Sequence, residues 1–213
     1  MGEDCRRLTL AEAQSHVPAL RDQVTAALYS PHELRVESRD AIPRLAQWLA
    51  EARGVHFRWG EQVLEIAPPT VTTSKGLIEA GAVVYCPGDT YTGPFADSLA
   101  DADLTRCKLH MLRVQPEGAP KLQTAVMSDL GLARYLGYAD LPEAAPLKAL
   151  LDREQADARQ NGVHLIVVQS ADGSLVVGDS HHYSATPDPF QPEWVDESYW
   201  RKWTLFSTCP AVR

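Results

Sequence analysis

The sequence predicts an α+β fold: a mixed or antiparallel sheet accompanied by a few helices. Three observations carry this. From residue 70 the period shifts to two around Lys75-Gly76, and residues 163–180 hold two apolar strands around Ala171-Asp172-Gly173, the marks of antiparallel hairpins. Residues 38–53 instead repeat apolar side chains at helical spacing. The chain also has neither GxGxxG nor GxxxxGK, so it carries no self-contained phosphate cradle opening a parallel sheet.

Taken in order, Thr9 can cap a short helix within TLAEAQSHV (residues 9–17), with Glu12 at the capping-box position and Pro18 as the stop. Ser38 can cap a second helix in which Ile42, Leu45, Trp48 and Leu49 recur on one face, and Gly54 ends it. Strands are expected around His56–Arg58 and at QVLEIAP (62–68), then a hairpin of TVTTS and GLIEA turning at Lys75-Gly76. AVVYCPG (82–88) is continuously apolar, as suits a strand buried on both faces. CKLHMLRVQ (107–115), QTAVMS (123–128) and LARYLGY (132–138) read as further strands, and residues 143–160 as a helix closed by Gly162. VHLIVVQSADGSLVVGDS (163–180) is a hairpin turning at Ala171-Asp172-Gly173. A last helix starts at Pro192 and then loses its period. With no repeat, low-complexity tract or linker, residues 1–213 are expected to form a single compact unit.

Composition narrows the function. The 213 residues carry 20 Lys+Arg against 28 Asp+Glu, a formal net charge of −8, which disfavours a nucleic-acid or anionic-membrane surface. No apolar run reaches the roughly 18–20 residues that span a bilayer, and the N-terminus has no apolar signal core. Cys5, Cys86, Cys107 and Cys209 lack metal-ligand spacing and read as free thiols in a reducing, cytoplasmic setting.

The chemistry-bearing residues concentrate at the end of the last hairpin. Asp179, His181 and His182, with His164 on the partner strand, are competent metal ligands by type. Adjacent strand residues point to opposite faces, however, and no HxH or HExxH accompanies them, so no metal is expected. Ser170 and Ser180 lack the glycines of a nucleophile elbow, so no hydrolytic triad is expected either.

Several segments together resemble the FAD-dependent amine and amino-acid oxidases, the family of D-amino acid oxidase and glycine oxidase. They are SPHELRVESRDAIPRLAQWLAEARGVHFRWGEQVLEI (30–66), AGAVVYCPGD (80–89) and the 163–183 hairpin. TRCKLHMLR (105–113), AVMSDLGLARYLGYADLPEA (125–144) and ADGSLVVGDSHHYSATPDPF (171–190) further resemble a bacterial subgroup associated with aminophosphonate breakdown. The likeness spans roughly residues 8–198, with a divergent tail over 191–213. It implies a partial Rossmann-type FAD-binding layer drawn from residues 8–89 and a substrate-binding sheet over 90–190. The family's opening GxGxxG and its C-terminal flavin-covering segment have no counterpart here, so the chain is expected to be incomplete at both ends.

By resemblance, Val63, Cys86, Pro87 and Gly88 would lie against FAD, and His164, Ile166, Gly178 and His181 would line the substrate pocket. Asp179 and His182 would face the other side or the pocket mouth, and Arg134 or Arg106 could meet an oxyanion head group. The reaction implied is hydride transfer from a small amine, amino acid or aminophosphonate to the flavin, with the cofactor carrying the chemistry. The alternative is a non-catalytic remnant, a binding or interaction protein, or one half of a split oxidase that self-associates or needs a complementing chain.

Overall fold

The computed structural model describes residues 4–116 and 121–206. In chain order the elements are β1 (Arg6–Leu8), α1 (Leu10–His16), β2 (Ala27–Tyr29), α2 (Ser38–Arg53), β3 (Val63–Ala67), β4 (Thr70–Thr73), β5 (Gly76–Glu79) and α3 (Ala96–Ala100). Then follow β6 (Arg106–Val114), β7 (Val126–Met127), α4 (Asp129–Leu132), α5 (Leu136–Ala139), α6 (Ala144–Glu154), α7 (Ala156–Gln160), β8 (Ile166–Gln169), β9 (Leu175–Ser184) and α8 (Glu193–Phe206). The result is the α+β architecture that the sequence predicts. The chain divides, however, into two compact units rather than one: Ser38–Arg106 with Ser184–Thr186 form the smaller, and the remainder forms the larger.

The larger unit is built on a four-stranded sheet in the order β6-β9-β8-β7, with β8 antiparallel to both β7 and β9. Its core combines Val167, Leu175 and Val177 from the β8–β9 hairpin with Leu130, Leu151, Val163 and Leu165. Val195, Tyr199 and Trp203 of α8 complete it, all at most 2% exposed. Their i, i+4, i+8 spacing is one helical stripe, so the helix that was expected to lose its period keeps it through Trp203. Lys202, one residue from the stripe, donates to Asp129 Oδ1 (2.5 Å) and Gln155 Oε1 (2.7 Å), fastening α8 to the start of α4 and to the break between α6 and α7. A small ribbon, β1 paired antiparallel with β2, closes over Leu8, Ala13, Val17 and Leu20. The Thr9–Glu12 capping box of α1 is present in both directions.

LARYLGY forms no strand. It falls into α4, the turn after it and α5; burial gathers at Leu130, Gly131, Ala133 and Ala139 instead of alternating as a strand would require. The helix expected over 143–160 breaks at Gln155 into α6 and α7.

In the smaller unit α2 is followed by the antiparallel meander β3-β4-β5, with the turn at Ser74-Lys75. Only Val71 and Thr73 of this unit are buried. The α2 face bearing Ile42, Leu45 and Trp48 is 67, 55 and 48% exposed. No strand forms at His56–Arg58, and AVVYCPG has no regular structure, with Val84 87% exposed. A doubly buried strand needs neighbours to take its backbone groups and cover both faces, and within this unit the self-contained meander offers none.

Candidate functional site

The turn after α7 delivers the first site residue. Gly162 (φ +60°) reverses the chain, and a Cβ built there would lie 2.9 Å from the Cβ of His181, so both conformation and space demand glycine. His164 follows. Its backbone N–H donates to the carbonyl of Asp179 (3.0 Å), while its own carbonyl accepts from Ser128 Oγ at 2.5 Å. Leu165 then adopts φ +45°, a conformation that a branched side chain occupies only when the surroundings force it. Across the hairpin, β9 carries Asp179 and His181 two residues apart, hence on one face. The backbone N–H of His181 donates to the Asn161 carbonyl (3.0 Å), holding β9 to the turn that carries Gly162.

The three side chains converge. His164 Nδ1 lies 3.5 Å from Asp179 Oδ1, and His181 Nε2 lies 3.9 Å from Asp179 Oδ2. The two imidazoles are 4.6 Å apart by centroid, with Tyr135 5.2 Å beyond His164. His164 is only 2% exposed, and neither of its ring nitrogens has a hydrogen-bond partner. His181 Nδ1 sits 2.9 Å from the Gly162 carbonyl; a carbonyl only accepts, so Nδ1 carries the proton and Nε2 is left facing the carboxylate. Burial lowers the His181 pKa, and the charge of Arg134 adds to this against the opposing pull of the Gly162 carbonyl. Burial pushes the Asp179 carboxyl up, but His164 and His181 together hold it below its usual value. Beside the cluster is a cleft of about 210 Å³ whose lining includes Leu130, Arg134, Arg159, Gly162 and His164. The Arg134 guanidinium donates to Tyr183 Oη (2.7 Å), and Arg159 Nε to Asp152 (2.9 Å).

His164 and His181 are therefore brought together as the sequence suggested, but Asp179, expected elsewhere, sits between them. The period-two rule applied to Asp179 and His181 alone would have found it. His182 does face away, with Nε2 3.0 Å from the buried Ser180 Oγ. Gly178 makes room for β6: a Cβ there would meet Met111 Cγ at 3.0 Å and the His110 carbonyl at 3.1 Å. Ile166 pairs with Gly178 in the ladder, and the turned backbone at Leu165 stops the alternation from carrying over from His164. Arg106 belongs to the smaller unit, where it donates to the carbonyls of Ala185 and Asp89 and lies over the Tyr91 ring. A second pair had no signal in the sequence: the buried His110 Nε2 meets Oδ1 of the partly exposed Asp196 of α8 at 2.6 Å, beside Tyr199, whose hydroxyl donates to the His110 carbonyl.

These features first define a class. An antiparallel sheet unit and a smaller helix-and-meander unit make an α+β fold that two solved structures share. L-proline dehydrogenase from P. horikoshii superposes with a TM-score of 0.66 at 18% identity, covering 100% of this chain and 51% of that one. Glycine oxidase from Bacillus cereus ATCC 14579 gives a TM-score of 0.62 at 15% identity, covering 100% and 52%. The chain thus spans about half the length of these structures. No curated protein sequence matches it. The profile of the FAD dependent oxidoreductase (DAO) family matches residues 1–205, and the chain belongs to that family. The match reaches seven residues beyond the span of the sequence likeness and takes in nearly all of α8.

The residues expected to hold FAD do not by themselves make a cradle. Val63 opens β3 opposite Thr73 and is 37% exposed; Cys86 is an exposed free thiol. Gly88 (φ +65°) turns the chain with nothing within 4 Å of a built Cβ. None of them presents a buried donor of the kind that grips a pyrophosphate. Among the described residues no helix is long and apolar enough to cross a membrane.

Proposed function

We propose that this chain is the substrate-binding portion of an FAD-dependent oxidoreductase that deaminates a small amine, amino acid or aminophosphonate. The observation that carries the reading is the cleft beside His164, where the Arg134 and Arg159 guanidiniums and a buried imidazole meet over a floor of apolar side chains. Guanidinium groups in such a recess suit a carboxylate or phosphonate head group, which they bind through paired, charge-assisted hydrogen bonds. Ile166 and Gly178 belong to the same hairpin and would support that pocket from behind. Val63, Cys86, Pro87 and Gly88 would contribute one side of a flavin site that is completed by further protein. The free thiols of Cys5, Cys86 and Cys107 support a reducing, cytoplasmic setting.

A second reading is favoured by the uncovered α2 face: an incomplete oxidase that binds flavin only once a complementing chain or segment packs there, and that alone acts as a binding protein. An absorption spectrum taken after gel filtration, with and without added FAD, separates the two. Retained flavin bands that bleach on adding the amine substrate support an oxidase in this chain. A colourless protein that recovers flavin binding only with a complementing polypeptide supports the second reading.

A further inference from the structure

We propose that His164, Asp179 and His181 bind one divalent transition-metal ion of the zinc class. One ligand atom from each of the three lies within 4.8 Å of the others. At metal–ligand distances of about 2.0–2.2 Å, neighbouring corners of a tetrahedral site are about 3.4 Å apart. The separations of 3.5 Å to Asp179 Oδ1 and 3.9 Å to Asp179 Oδ2 are close to that spacing, and the widest separation in the set, up to 4.8 Å, must close by roughly 1 Å or more to reach it.

The surroundings point the same way. His164 is buried with Nε2 unpartnered, and its Nδ1 and the buried Asp179 Oδ1 face each other at 3.5 Å without a hydrogen bond. A native interior rarely tolerates such a group of orphaned polar atoms. His181 already makes the outer-shell bond that metal-ligating histidines make: Nδ1–H on a backbone carbonyl, leaving Nε2 as the ligating atom. That lone pair now faces a carboxylate, a juxtaposition that a bound cation reconciles, as a proton on Nε2 also would. The Asp179 and His181 side chains are 18% and 14% exposed, which leaves an entry path and an open position for water or a further ligand. Two imidazoles and a carboxylate suit zinc and its first-row neighbours rather than calcium or magnesium.

The inference stands apart from flavin binding and is tested without flavin. Protein stripped with a chelator is titrated with Co2+, followed by its visible d–d absorption and by displacement with Zn2+. One equivalent is expected to bind and to be displaced. Asp179→Asn and His181→Gln should each weaken binding at least about tenfold, in line with the sensitivity of metal sites to single ligand-shell changes. His32→Gln and His56→Gln, at exposed histidines, should leave it unchanged. Zn2+ should also raise the thermal midpoint of the wild-type protein, a readout that needs no variant to fold. Absence of that shift, no Co2+ uptake, or uptake undiminished in both site variants overturns the proposal.

Discussion

Asp172 shows how much one exposed carboxylate can organise. It accepts from the N–H and hydroxyl of Ser174 (3.0 and 2.6 Å) and from Arg113 (2.6 Å), and these bonds, led by the Ser174 hydroxyl, lower its pKa to about 2. Gly173 beside it takes φ +85°, so the Asp-Gly pair sets both the charge and the reversal of the β8–β9 hairpin. The folded state holds the carboxyl below its unfolded value of 3.8. Below 3.8 the unfolded chain therefore binds the proton more readily, and stability falls with pH there. The contribution is present in full above 3.8 and is lost as pH drops toward about 2. Asp172→Asn should lower the urea midpoint at about pH 7 and narrow its difference from wild type at about pH 2.5. An equal deficit at both pH values would show that the carboxylate charge is not the cause.

At the scale of elements, α8 has the largest stake in the sheet unit. Tyr199 is fully buried, its hydroxyl bonded to β6 and its pKa pushed far up by burial, while Trp203 fills the core one turn on. Trp203→Ala should cost about 3–5 kcal/mol, the usual range for deleting a buried Trp side chain. Urea unfolding followed by circular dichroism measures it; a loss under about 1 kcal/mol would mean that α8 is not part of the folding core. In α2 the same helical periodicity has the opposite outcome. Ile42, Leu45 and Trp48 do form one stripe, but the stripe faces outward. Periodicity fixes which residues share a face, and only a neighbouring element decides whether that face is buried.

For the whole molecule, the exposed stripe on α2 predicts behaviour in solution. An uncovered face of large apolar side chains marks either a partner site or a liability. The protein is expected to associate in a concentration-dependent way by light scattering, and Leu45→Glu with Trp48→Glu should shift it toward monomer. A wild-type protein that stays monomeric across the concentration series would remove the basis for a covering partner.

Much of this protein was determined locally. The capping box of α1, the two hairpins and their turns and the stop at Gly54 follow from periodicity and turn chemistry, because these depend on residues near one another in the chain; the family follows from the resemblance of whole segments. Tertiary structure alone decided the rest. LARYLGY is short and apolar enough for either helix or strand, and packing of Leu130, Ala133 and Ala139 chose helix. AVVYCPG has the composition of a central strand and lacks the neighbours to be one. The meeting of His164 with Asp179 and His181 was half legible: the two-residue spacing of the last two places them on one face, although the resemblance had set Asp179 apart from His181. The turned backbone at Leu165 and the space left at Gly162 brought the third to them, through contacts between residues that sequence separation does not reveal.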